Sequence, residues 1–151
     1  MLIETLVADP VGHSNPTLDQ LDDLTGRMRT AGLDVILEQF GEPASLTSTQ
    51  ELAVYRIVQE SLTNALKHAG AEPVARVALD WRGQGLAVTV ASSGTPRSRS
   101  EPLAKPRGLY GMRERARLAG GWLTAGPDDD TPGGYIVTAY IPTDGATGAA
   151  A

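Results

Sequence analysis

Apolar residues recur every three or four positions through residues 51–69, where Leu52, Tyr55, Val58, Leu62, Ala65, Leu66 and Ala69 fall on one stripe. That spacing predicts a long amphipathic helix. Ser48-Thr49-Gln50-Glu51 reads as the capping box that opens it, and Gly70 as the residue that closes it. The same period in Leu18, Leu21, Leu24 and Met28 predicts a shorter helix over residues 17–31, stopped by Gly32. Over residues 33–40 the period shortens to two, as in a strand, with Val35 and Leu37 on one side and Ile36 on the other. Residues 41–46 are the connection between strand and long helix.

Two further strands are expected at residues 75–81 and 86–91, joined through Arg82-Gly83-Gln84-Gly85 as a hairpin. Residues 92–107 read as a loop: they hold three prolines and four serines, with Arg97, Arg99, Lys105 and Arg107 set against Glu101. So long a connection in a compact domain marks a functional lid or a mobile insert. A helix is expected over residues 108–119, with Leu109, Met112, Ala116 and Leu118 turned inward, and Gly120-Gly121 ends it. Residues 122–125 and 135–141 form a last strand pair about Asp128-Asp129-Asp130, which lacks the spaced ligands of a calcium loop and reads as a solvated turn. Trp81 and Trp122 fall in strands, as core or sheet-face residues. Hairpins mixed with helices favour an α/β fold of two layers, a mixed sheet covered by helices, over a doubly wound parallel sheet. The expected organisation is a leader or linker at residues 1–16, one domain at 17–143 and a disordered tail at 144–151.

Composition narrows the chemistry. At 151 residues and 41% apolar, the chain has enough material for one well-buried core. A net charge of −5 argues against nucleic acid as a partner. The absence of cysteine removes disulfides, thiolate catalysis and cysteine-bound zinc, and suits a reducing compartment. With His13 and His68 the only histidines, a multi-histidine metal site is excluded. No apolar run reaches membrane-spanning length and no signal-peptide pattern is present, so a cytoplasmic segment without direct membrane contact is expected.

The long helix carries the candidate chemistry. Glu60, Asn64 and His68 stand one turn apart on one face, with Lys67 beside them. A carboxylate can hold a water, a carboxamide oxygen can ligate a hard cation, and the basic pair can meet phosphate oxygens. That set suits a nucleotide–Mg2+ site. Spacing alone is served equally well by an ordinary amphipathic helix with a polar outer face.

Glu60-Ser61-Leu62-Thr63-Asn64-Ala65-Leu66-Lys67-His68-Ala69, with its lead-in Tyr55-Arg56-Ile57-Val58-Gln59, resembles the N box of sensor histidine kinases. The match is to the subgroup whose response regulators carry helix-turn-helix output domains. Gly108-Leu109-Tyr110-Gly111-Met112-Arg113-Glu114-Arg115, then Leu118-Ala119-Gly120-Gly121, resembles that subgroup's glycine box and trailing helix. Gly133-Gly134, Val137 and Ile141-Pro142 resemble its closing strand. The resemblance implies a Bergerat-type ATP-binding fold, shared with gyrase, Hsp90-like chaperones and mismatch-repair ATPases, with ATP under a mobile lid. It implies that Asn64 ligates Mg2+, that Glu60 holds a water or orients the transfer, and that Lys67 and His68 contact phosphate. Gly108 and Gly111, with Leu109 and Met112 between and beside them and Arg107 adjoining, would bring backbone amides to the phosphates at a helix start. Residues 94–107 would be the lid, ordered by nucleotide. The implied partners are the dimerisation and phosphoacceptor domain of the parent kinase and a cognate response regulator.

The chain departs from the family pattern at Ser92-Ser93-Gly94, where an Asp-x-Gly is usual and its carboxylate reads the adenine amino group. A serine hydroxyl accepts the same hydrogen bond without charge assistance, at a loss of roughly 1–3 kcal/mol. Pro96 and Pro106 also replace family glycines. His13, followed by Ser14 and Asn15, does not resemble a phosphoacceptor, so autophosphorylation by this polypeptide itself is not expected. Two other readings stand beside the kinase domain: a nucleotide-impaired regulatory module of the same fold, motivated by Ser92 and Pro106, and an anti-sigma-factor-type serine kinase, against which Gly-Met-Arg-Glu-Arg speaks.

Overall fold

The computed structural model describes residues 17–95 and 108–143. The expected leader, the tail and most of the expected lid, Pro96, Pro106 and Arg107 included, lie outside the described residues. A short 3-10 turn, Leu18–Gln20, enters α1 (Leu21–Thr30); β1 (Asp34–Phe40), α2 (Ser48–His68), β2 (Ala71–Asp80), β3 (Gly85–Thr95), α3 (Leu109–Leu118), β4 (Trp122–Pro127) and β5 (Tyr135–Pro142) follow. The strands make one sheet in the order β1-β2-β3-β5-β4. The β1–β2 pair is parallel, its crossover supplied by α2, and the other three pairs are antiparallel. This is the mixed, mostly antiparallel sheet of the expected two-layer sandwich.

Strand alternation sends one set of side chains into the core. Val35, Val77, Leu79, Val88, Val90, Leu123, Val137 and Ala139 are buried beneath Leu21, Leu24 and Met28 of α1, Val54, Ile57, Val58 and Leu62 of α2, and Met112 and Ala116 of α3. The other sheet face carries the exposed Ile36, Val74 and Trp122, the last stacked on Tyr140 with ring centroids 6.0 Å apart. Trp81, by contrast, is buried. At the β2–β3 hairpin Asp80 accepts hydrogen bonds from the Arg82 backbone N–H and guanidinium, which hold its carboxyl down at about 2.

Three local expectations are corrected. The capping box of α2 uses Thr47 and Gln50, one residue before Ser48 and Glu51: the Gln50 N–H donates to Thr47 Oγ1 at 3.1 Å and the Thr47 N–H to Gln50 Oε1 at 3.0 Å. Both spacings satisfy the motif, and tertiary contacts select this one. Gln50 is buried, and its Nε2 also donates to Ala119 O at 3.1 Å and Pro142 O at 2.7 Å. It ties the start of α2 to the ends of α3 and β5. Next, β2 and β3 run longer than expected, so Ser92 and Gly94 lie in a strand and not in a loop: Ser92 pairs with Ala75, Ser93 with Val74 and, past an irregularity in the register, Thr95 with Ala71. Lastly, Leu118 is 68% exposed: the inward stripe of α3 passes from Met112 and Ala116 to Ala119, leaving Leu118 on the far side of the helix.

Gln50→Ala is expected to cost about 2–3 kcal/mol, since the helix cap and two buried carbonyl contacts go together. In thermal denaturation the midpoint should fall by about 5–10 °C. Gln50→Glu should fall as well, because an ionised carboxylate has no N–H for Ala119 and Pro142. A midpoint unchanged in both variants would show that the clamp carries no stability.

Candidate functional site

The polar face of α2 is not a solvated surface. Ser61, Thr63 and Asn64 are buried, and Asn64 is 7% exposed. The reason is tertiary. One side of α2 packs on the sheet, while the other meets α3, where Ser61 Oγ lies 3.4 Å from the Sδ of the fully buried Met112. Between α2, the sheet and the β4–β5 connection opens a cavity of about 870 Å3. Ser61, Asn64, Ala65 and His68 of α2 form its roof, Val90, Ser92, Tyr135 and Val137 its floor, Leu109 of α3 one side and residues 125–129 and 131–134 another. Its size and mostly apolar walls with a few convergent polar groups suit a small-molecule site.

The structure thus brings Asn64, His68, Ser92 and Leu109 to one cavity. Ser92 reaches it from the row of β3 that pairs with Ala75 on one side and Tyr135 on the other. Glu60 does not line the cavity; its carboxylate lies against the start of α3. A Cβ on Gly108, the left-handed N-cap of α3 with φ 82°, would stand 2.7 Å from Glu60 Cδ. The positive end of the α3 dipole favours that carboxylate. Lys67 is exposed and outside the lining, in the last turn of α2, where a helix dipole favours a cation. Met112 is core. Gly111 lies in the first turn of α3 outside the lining. Gly94 serves close approach: a Cβ there would come within 2.4 Å of Ala69 O, where β3 passes the end of α2.

Sequence reasoning missed Ser61, Ala65, Tyr135 and the β4–β5 turn as cavity residues. Ser61 and Ala65 were within reach: Ser61 stands three residues before Asn64, and Ala65 four after Ser61 and three before His68, spacings that share a helix face. Nothing local marks the turn. Tyr135 is half-buried, and burial pushes its phenol pKa up while the Arg113 guanidinium pulls it the other way. Tyr110, inside the glycine box, is 78% exposed. Among the described residues no cluster of three His, Cys, Asp or Glu side chains is placed to hold a metal. None of their helices is long and apolar enough to cross a membrane.

Residues 49–145 match the family described as histidine kinase-, DNA gyrase B- and HSP90-like ATPases. The chain is 29% identical over 126 residues to the sensor histidine kinase DesK of Bacillus subtilis (strain 168), covering 83% of this chain and 33% of that protein. It is 38% identical over 93 residues to the oxygen sensor histidine kinase NreB of Staphylococcus carnosus (strain TM300), covering 61% of this chain and 26% of that one. It therefore spans a third or less of the curated relatives it matches. The histidine kinase domain of a blue-light activated kinase from Erythrobacter litoralis superposes with a TM-score of 0.63 at 20% identity, over 91% of this chain and 72% of that one. Those sensor histidine kinases are what the chain is similar to; the chain itself belongs to the histidine kinase-, DNA gyrase B- and HSP90-like ATPase family.

Proposed function

We propose that the cavity takes ATP with Mg2+ and that the γ-phosphoryl group passes from there to a histidine on a separate dimerisation domain of the parent kinase, for relay to a response regulator. The observation that carries the reading is Asn64, a carboxamide held 7% exposed in the wall of a cavity that also presents Ser92, His68 and Leu109. A carboxamide oxygen suits a hard cation, and a single protein ligand suits Mg2+, which keeps several waters and takes further oxygens from phosphates. Asn64 is the residue that would hold it. When bound, the ion neutralises charge on the transferring phosphoryl group.

The remaining roles follow from position. Ser92 accepts a hydrogen bond from the base at the floor. Of the basic residues that the family resemblance assigns to the phosphates, His68 lines the cavity and Lys67 stands one residue before it; Arg107 is assigned by the resemblance alone. Glu60, against Gly108, couples the N box to the start of α3 and orients the water or acceptor there. Gly108, Leu109, Gly111 and Met112 set the first turn of α3, whose amides suit an anion. Gly94 keeps β3 close to α2, so that Ser92 faces the cavity. The chain's own residues thus bind and position; transfer of this kind asks little covalent chemistry of the protein.

Calorimetric titration of the 151-residue chain with a non-hydrolysable ATP analogue, with and without Mg2+, tests the reading. Saturable binding that strengthens with Mg2+ is expected. Absence of binding would favour the nucleotide-impaired regulatory module, the reading that Ser92 motivates through its missing charge.

A further inference from the structure

Ser92 of β3 and Tyr135 of β5 are direct cross-strand partners. Strand alternation turns both toward the cavity, since Val90 and Val137, two residues along the same strands, are buried on the inner face. Opposite residues of an antiparallel pair hold their Cβ atoms about 5 Å apart, so the floor carries two hydroxyl-bearing side chains next to each other. Among the described residues no side chain or backbone group hydrogen-bonds to either hydroxyl. Burial keeps the Tyr135 phenol protonated at neutral pH, so it can donate as well as accept.

The carboxylates of the cavity lie elsewhere. Asp128 and Asp129 belong to the β4–β5 turn, beyond Pro127, which pairs with Tyr135 on the side away from Ser92. Two strand spacings, roughly 10 Å, separate Ser92 from Pro127. Asp128 Oδ1 accepts the Asp130 N–H at 3.0 Å within the turn, and Asp129 is exposed. Around the two hydroxyls the walls are the apolar Ala65, Val90 and Val137, with Asn64 and His68 across the cavity on α2. The edge of a flat ring lying on this floor is therefore met by hydroxyls and not by a charge.

The difference matters for what the floor recognises. An ionised carboxylate can only accept; a hydroxyl accepts, donates and rotates to suit its partner. Adenine presents an amine donor at its six-position beside a ring-nitrogen acceptor. A 6-oxopurine presents the reverse, a carbonyl acceptor beside a ring N–H donor. Turning the hydroxyl hydrogens changes a floor that serves the first edge into one that serves the second, with no heavy atom moved.

Resting on the reading of the cavity as a nucleotide site, we propose that this site does not discriminate the purine six-substituent, and takes 6-oxopurine nucleoside triphosphates alongside ATP. Ser92 sets that breadth: its hydroxyl accepts from the amine of ATP and donates to the carbonyl of the 6-oxopurine, with Tyr135 as the second adaptable hydroxyl of the floor. Neither bond is charge-assisted, so breadth comes with weaker binding.

Calorimetric titration of the 151-residue chain with ATP and ITP in the presence of Mg2+ tests the proposal, because ITP differs from ATP only at this edge. The two affinities should differ by less than about fivefold. Ser92→Asp should create a preference for ATP of about tenfold or more, chiefly by weakening ITP, whose carbonyl would face a carboxylate. Ser92→Ala should weaken both nucleotides alike. A parent chain that favours either nucleotide by more than about fivefold overturns the proposal and leaves the nucleotide site standing. A folded Ser92→Asp variant with the parent's ratio overturns it as well, since Ser92 would then not meet the six-substituent. If Ser92→Asp does not fold, Ser92→Ala decides: loss of one nucleotide alone overturns the proposal, and equal loss supports it. A parent chain that binds neither nucleotide takes down the nucleotide reading and this one together.

Discussion

Asn64→Ala is expected to eliminate the Mg2+-dependent part of nucleotide binding. The side chain is a buried polar group on the cavity wall, away from the contacts of α2 with the sheet core formed by Val54, Ile57, Val58 and Leu62. Loss of a direct ligand should exceed the roughly 10–100-fold that removing a second-sphere partner already costs in metal affinity. Calorimetry with and without Mg2+ reads the effect, and the melting midpoint without ligand should stay within a few degrees of the parent. Equal affinity for the variant and the parent, with and without Mg2+, would sink the ligand assignment. A large loss of stability with no ligand present would instead make Asn64 a structural residue.

The largest loss of stability is expected from Gly121→Ala. An added Cβ would stand 1.6 Å from Tyr140 O and 2.8 Å from its carbonyl carbon, backbone atoms of β5 that cannot swing aside as a side chain would. Gly121 also donates its N–H to Ala116 O at 2.8 Å, so the chain turns from α3 into β4 at this point. Either β4 must leave β5 or the turn must open. The cost is expected to reach about 3 kcal/mol or more, a fall of roughly 10 °C in the melting midpoint. Gly83→Ala is the control: an added Cβ there meets nothing within 4 Å, and the midpoint should hold. If Gly121→Ala melts with the parent, the close approach of the α3–β4 turn to β5 is wrong.

Much of this could be read from the chain because it is local. The 3.6-residue period of α2, the alternation of β1 and the glycines that stop α1 and α2 depend on neighbours a few residues away, and all recur in the structure. The N box and the glycine box were legible for the same reason: each is a contiguous run whose side-chain spacing is set by its helix. Residue identity and spacing by themselves thus determined the two-layer α/β class, the order of elements and Asn64 as a candidate ligand. Packing decided the rest. Whether Thr47 or Ser48 caps α2 depends on Gln50 reaching Ala119 and Pro142, which lie 69 and 92 residues away. Whether the polar face of α2 meets water or a cavity depends on α3 and on the β4–β5 turn. Whether Ser92 has a second hydroxyl beside it depends on strand pairing, which sets Pro127 beside Tyr135 and Tyr135 beside Ser92. The second adjacency joins residues more than forty positions apart, and only burial of the sheet's inner face, which fixes strand register, brings them together.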